Sequence, residues 1–178
     1  MQKRYPQTSA VPAILFALLF HALLSSGNAI ASNEQRPVKV GRVHDGDTIT
    51  VILNRKRERV RLIGIDAPEI RQRPWGILAQ KHLEKLLYAS NGKIVLEYDV
   101  EKRDKYGRLL CYIFTPDEKM INIQMIKDGY AMLLTIPPNV KYVDELKAAQ
   151  TEARQFKRGI WGSKGLKENP GDYRKRHR

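Results

Sequence analysis

The sequence predicts an α+β fold that is mainly β, a five-stranded barrel carrying three helices. Three observations predict it. Short β-branched segments recur between Val38 and Phe114. Helical apolar spacing interrupts these segments once and follows them twice. Gly, Asn, Asp and Pro punctuate the boundaries between them.

The first strand is Val38–Val43, with valine at positions 38, 40 and 43. Asp45-Gly46-Asp47 marks a turn. Thr48–Leu53 (Thr-Ile-Thr-Val-Ile-Leu) is the second strand, and Asn54–Arg59 is a charged connection. Val60–Ile65 is the third strand. It ends at Asp66-Ala67-Pro68, because the residue before a proline avoids helical backbone. Trp75–Ala89 is the first helix, with Ala79, Leu83, Leu86 and Leu87 at helical spacing. Pro74 suits its start, and Asn91-Gly92 its stop. Lys93–Glu101 and Leu109–Phe114 are the fourth and fifth strands, separated by the polar loop Lys102–Arg108. Asn122–Asp128 is a short helix closed by Gly129. Tyr142–Phe156 is the third, with Leu146, Ala149, Ala153 and Phe156 on one face. Five short strands with a helix between the third and fourth follow the OB-fold plan, a small, partly open barrel. No repeat or linker interrupts residues 38–162, which read as one domain. A basic tail, 163–178, follows and ends in Tyr173–Arg178. It is expected to be mobile, as a solvated end or as a phosphate-binding arm.

Residues 1–31 read as a secretory signal peptide. Lys3 and Arg4 precede the apolar stretch Val11–Leu24, and Ala29-Ile30-Ala31 supplies a small-x-small cleavage site. The apolar stretch is short for a spanning helix. The chain is therefore expected to be exported, to periplasm or medium, with no stable membrane partner; an uncleaved anchor is the alternative. Residues 32–37 form a polar leader. Loss of Lys3 and Arg4 would leave 30 basic and 19 acidic residues. The chain has 32 Lys and Arg against 19 Asp and Glu, a net charge of +13. Such an excess speaks to partners rather than to fold. A polyanion is the simplest partner, either nucleic acid or an anionic membrane surface.

Cys111 is the only cysteine, which excludes an intramolecular disulfide. It sits in an apolar strand and reads as a small buried hydrophobe. His21, His44, His82 and His177 are scattered, which argues against a zinc site. No GxxxxGK phosphate loop and no GxSxG elbow occurs.

The acidic residues carry the sharper signal. A hairpin centred near Lys56-Arg57 pairs residues whose numbers sum to about 113, which sets Asp47 opposite Asp66. Asp45 lies on the same side as Asp47 if the chain is extended there. Glu69 follows Asp66 by three residues. Four carboxylates at one end of a hairpin repel unless a cation joins them. Oxygen ligands favour Ca²⁺ or Mg²⁺, and flexible loop ligands favour Ca²⁺. Arg61 is a charge within an apolar strand and invites a partner. Arg103 and Arg108 bracket the loop between the fourth and fifth strands, and the arginine fork suits a phosphodiester.

Three segments together resemble the staphylococcal nuclease family. They are Asp45-Gly46-Asp47-Thr48, Arg61-Leu62-Ile63-Gly64-Ile65-Asp66-Ala67-Pro68-Glu69 and Asp104-Lys105-Tyr106-Gly107-Arg108, in that order. The resemblance extends over Val38 to Trp161. It implies an OB-fold and calcium-dependent endonucleolytic hydrolysis of DNA and RNA, with 5′-oxygen departure and 3′-phosphate products. It assigns metal binding to Asp47, Asp66 and the Ala67 carbonyl, the general base to Glu69 and phosphate binding to Arg61 and Arg108. Tyr106 matches a family tyrosine beside the phosphate and Asp45 an acidic residue near the metal, while Lys105 is expected to bind substrate through non-specific backbone attraction. Two departures stand out. The reference enzyme of the family has threonine where this chain has Ala67, and its base-stacking tyrosine is replaced near Thr135. Single-stranded or frayed nucleic acid is the expected substrate, and a monomer the expected state. The competing reading is a non-catalytic OB-fold module that binds single strands. The retention of Asp47, Asp66, Glu69 and both arginines argues against it.

Overall fold

The structure is a computed structural model and describes residues 37–177. The expected signal peptide, 1–31, and residues 32–36 of the leader lie outside the described residues. Among the described residues, no helix is long and apolar enough to cross a membrane.

Five strands close a barrel in the order β1 (Val38–Val43), β2 (Thr48–Leu53), β3 (Lys56–Leu62), β6 (Leu109–Phe114) and β5 (Lys93–Glu97). All neighbours are antiparallel except β3 and β6, which run parallel. Alternation along the strands, shifted in β1 by a register irregularity between Val40 and Arg42, buries Val40, Val43, Ile49, Val51, Val60, Leu62, Ile94, Leu96, Cys111 and Ile113. Two further strands, β4 (Ile65–Asp66) and β7 (Met132–Leu133), form a small antiparallel pair beside the barrel. The fold class is as the sequence predicts.

Helix α1 (Trp75–Tyr88) starts after Pro74 and buries Ala79, Leu83 and Leu87. Helix α2 (Ile121–Lys127) adds Met125 and Ile126 to the core. Helix α3 (Val143–Gln155) adds Leu146 and Ala149. A fourth helix, α4 (Pro170–Arg176), corrects the count of three and lies within the basic tail. Pro170 favours its first turn. Asn169 caps it, its side-chain oxygen accepting the Asp172 N–H at 2.8 Å.

The β2–β3 register differs from the expected one. The turn is Asn54-Arg55, both at positive φ (51° and 63°), a pattern of two-residue hairpin turns. Leu53 pairs with Lys56 and Thr48 with Arg61, so Asp47 falls level with Leu62 rather than Asp66. The third strand also stops at Leu62, not Ile65. Gly64, at φ 78°, reverses the chain there. A Cβ at Gly64 would lie 2.4 Å from Leu146 Cδ1, so the turn is both left-handed and tightly packed. After this turn Ile65–Asp66 leave the barrel to pair with β7, and Asp66 Oδ1 comes within 3.4 Å of Arg61.

Asn122 holds that corner. It is fully buried, accepting the Ile113 N–H at 2.9 Å and donating to the Ile63 carbonyl at 2.8 Å. It therefore ties β6 to the residue that begins the Gly64 turn.

Candidate active site

Asp47 and Asp66 meet at the barrel end, although strand register does not pair them. Arg61, in β3, joins them. Its Nη2 lies 3.2 Å from Asp47 Oδ2 and 3.4 Å from Asp66 Oδ1. Its Nη1 donates to the Leu62 carbonyl at 2.8 Å, which fixes the guanidinium plane. Both aspartates are 6 % exposed. Asp47 Oδ1 accepts the Thr48 hydroxyl at 3.0 Å, and Oδ2 accepts the Ala67 N–H at 2.8 Å. The Ala67 peptide thus sits directly beside the Asp47 carboxylate. Burial pushes the Asp47 carboxyl above its ordinary range, Arg61 opposes that, and Asp45 adds to it. Asp45 turns toward its own loop, where Oδ1 accepts the Asp47 N–H at 3.0 Å.

Glu69 occupies the turn before α1. Its N–H donates to Gln72 Oε1 at 2.9 Å, and its carbonyl accepts the Gln72 N–H at 2.8 Å. Gly76 makes this turn possible, since a Cβ there would lie 2.0 Å from the Glu69 carbonyl oxygen.

The loop between β5 and β6 is organised by Asp104. Its Oδ1 accepts the N–H groups of Tyr106 and Arg108, at 2.9 and 3.0 Å. Its Oδ2 accepts Arg108 Nε at 2.7 Å and holds the Asp104 carboxyl below its ordinary range against the pull of burial. Among the described residues, Nη1 and Nη2 of Arg108 have no hydrogen-bond acceptor. The Tyr106 ring is 70 % exposed, with Lys105 Nζ 5.2 Å and Arg108 Cζ 5.5 Å from its centroid. Arg103 turns away to Glu58, in a forked pair at 3.0 and 3.2 Å. Of the two bracketing arginines, only Arg108 keeps its fork available.

These residues line one groove of about 860 Å³. Asp45, Asp47, Arg61, Ala67, Glu69, Lys105, Tyr106 and Arg108 all line it. Every sequence-predicted site residue other than Asp66 does so, and Asp66 is bonded to the lining residues Arg61 and Arg174.

Arg174, from α4, is the residue that sequence reasoning missed. Its Nη1 and Nη2 donate to Asp66 Oδ1 and Oδ2 at 3.0 and 2.9 Å, and Nη1 also reaches Glu69 Oε1 at 2.9 Å. Asp104 was visible within a motif, and its service as the hinge of the loop is readable from Asp placed before a Gly turn. Arg174 carries no such local signal.

Among the described residues, no group of three or more His, Cys, Asp or Glu side chains converges closely enough to hold a metal unaided. Asp47 and Asp66 do converge, through oxygen atoms alone, and a guanidinium already sits on the Asp66 and Glu69 oxygens as a stand-in cation. That donor set fits a hard divalent cation. Among the described residues the histidines bond elsewhere: His44 to Thr50 Oγ1, His82 to Asp128 and His177 to the Tyr173 carbonyl.

A family model described as staphylococcal nuclease homologue matches residues 59–163. The span includes Arg61, Asp66, Glu69 and Arg108 but not Asp47 or Arg174. The chain is 36% identical to endonuclease YncB of Bacillus subtilis over 155 residues, covering 82% of this chain and 72% of the relative. It is 42% identical to thermonuclease of Staphylococcus intermedius over 127 residues, 68% of this chain and 74% of the relative. It is 33% identical to thermonuclease of Staphylococcus hyicus over 162 residues, 86% and 94% of the two chains. With the barrel, the acidic corner and the arginines already in place, these likenesses show that the chain belongs to the staphylococcal nuclease family.

Proposed function

We propose that this family member is a calcium-dependent endonuclease that hydrolyses phosphodiester bonds of DNA and RNA. Membership of a family of phosphodiester hydrolases supports the reaction class. The observation that carries the finer reading is the groove itself. It is lined by Asp47, by Arg61, which joins Asp47 to the buried Asp66, by the Arg108 fork and by the exposed Tyr106.

Asp47, Asp66 and the Ala67 carbonyl would hold Ca²⁺, which when bound supplies Lewis-acid polarisation of a phosphoryl oxygen. Arg61 and Arg108 donate to the phosphoryl oxygens and stabilise the charge that builds there in the transition state. Asp104 holds Arg108 by Nε, so the Nη pair is pre-oriented for a bidentate contact. Glu69 takes the proton of the attacking water. The 5′-oxygen departs and the product carries a 3′-phosphate. Lys105 contributes backbone attraction that weakens with salt. Tyr106 offers a stacking face, which supports a preference for single-stranded or frayed regions. The protein acts as a monomer and is exported through the signal peptide 1–31.

Digestion of denatured DNA, with Ca²⁺ and with chelator, beside Glu69→Gln, tests this reading. Calcium-dependent cleavage that collapses by orders of magnitude in the variant is expected. Binding without cleavage in any metal would make the protein an OB-fold binding module instead.

A further inference from the structure

Helix α4 sends one side chain, Arg174, into the acidic corner. Arg174 lies 108 residues from Asp66 and 105 from Glu69 in sequence, yet its fork spans both carboxylates. Both oxygens of Asp66 are occupied by it. The C-terminal arm does not depend on this contact for its place. Gln72 Nε2 donates to the Glu168 carbonyl at 2.9 Å, Trp75 Nε1 donates to the Lys164 carbonyl at 3.2 Å, and Pro170 is buried. The arm is therefore anchored along the segment that carries Glu69, and Arg174 is its reach into the site. The side chain is 40% exposed, so it can leave without unpacking the core.

A divalent cation on Asp66 needs the same oxygens, at 2.3–2.6 Å for Ca²⁺. Arg174 caps both Asp66 oxygens with charged hydrogen bonds and so opposes a second cation there, whereas Arg61 approaches only Oδ1, at 3.4 Å. Beside Arg61, either Arg174 or the metal can relieve the remaining repulsion between Asp66 and its acidic neighbours.

We propose that Arg174 is an internal cation that closes the acidic corner until a divalent cation displaces it, which makes the C-terminal arm a metal-responsive latch. The inference rests on the reading of Asp47 and Asp66 as metal ligands. Displacement frees Glu69 together with Asp66, because one Nη group holds both. Metal arrival and release of the general base are thus one event. Ca²⁺ and the docked arm compete, and by reciprocity each weakens the other.

A latch closed nine-tenths of the time lowers apparent Ca²⁺ affinity about ten-fold. Calorimetric Ca²⁺ titration of the full chain, Arg174→Ala and Lys175→Ala tests this. Lys175 lies on the same helix and, among the described residues, pairs only with Asp172, so its removal controls for lost charge. Arg174→Ala should bind Ca²⁺ about ten-fold more tightly than Lys175→Ala. Equal or weaker binding overturns the latch and leaves the metal reading intact. Absence of Ca²⁺ binding in all three chains removes the metal reading and the latch with it. Trypsin digestion of the wild-type chain gives a second readout that needs no variant. Trypsin must take the Arg174 side chain itself, which Asp66 and Glu69 otherwise hold, so Ca²⁺ should accelerate cleavage after Arg174, and unchanged or slower cleavage at that bond with Ca²⁺ bound refutes the displacement.

Discussion

Replacing Asn122 by alanine should destabilise the protein by about 3 kcal/mol, with the loss centred on the corner that carries the acidic site. Asn122 is 0% exposed and serves two buried backbone groups. The Ile113 N–H and the Ile63 carbonyl both lose their partner in Asn122→Ala. Each orphaned group costs roughly 1–3 kcal/mol. A water entering the vacated space would bridge the two and recover part of that cost, which sets the expectation near the lower half of the range. For a domain of this length, 1 kcal/mol moves the midpoint of thermal unfolding by roughly 3–4 °C, so a fall of about 10 °C is expected. Urea unfolding with an unchanged m-value measures the free energy directly. A loss below about 1 kcal/mol would refute the claim that these two bonds hold the corner. The variant is also expected to bind Ca²⁺ more weakly, since Ile63 begins the turn that delivers Asp66.

Three further outcomes follow from the geometry. Gly76→Ala puts a Cβ 2.0 Å from the Glu69 carbonyl and must move that turn. Turnover should fall on the order of 100-fold with the far-ultraviolet spectrum retained, and near-normal turnover would dissociate Glu69 from the reaction. Arg61→Ala leaves Asp47 and Asp66 without the guanidinium that joins them, which should cost about 3 kcal/mol in metal-free protein. Added Ca²⁺ should restore part of that stability, and indifference to Ca²⁺ would count against the two aspartates as ligands. Burial pushes the Cys111 thiol up to about 12, so the thiolate that reacts with iodoacetamide is scarce at pH 8. Alkylation should proceed only as fast as the protein unfolds, and rapid labelling of the native chain would contradict the packing.

The barrel was legible because its strands obey a period of two and its helices a period of 3.6. Val40, Ile49, Val51 and Val60 needed only to be apolar and β-branched to announce a half-buried sheet. Leu83 and Leu87, one turn apart, did the same for α1. The individual site residues were legible through type and order. Asp47, Arg61, Asp66, Glu69 and Arg108 are groups whose burial or crowding requires a reason, and the resemblance supplied one.

Their meeting was not legible from register. The symmetric hairpin assumption placed the turn two residues late, because nothing in Asn54-Arg55 advertises positive φ as an Asn-Gly pair does. The error happened to bring Asp47 and Asp66 together on paper. In the molecule a different device does so, a left-handed turn at Gly64 that ends β3 and folds Asp66 back toward Arg61. The tail shows the same limit more sharply. Its composition is that of a solvated basic end, yet Asn169 and Pro170 start a helix and Arg174 enters the site. Local rules reach a few residues along the chain, so periodicity, caps and turn residues determined which elements form. The contact between Arg174 and Asp66 spans 108 residues and depends on where two separately anchored segments come to rest. That is decided only by packing of the whole chain, through Gln72, Trp75 and Pro170 holding the arm and Asn122 holding the corner it enters.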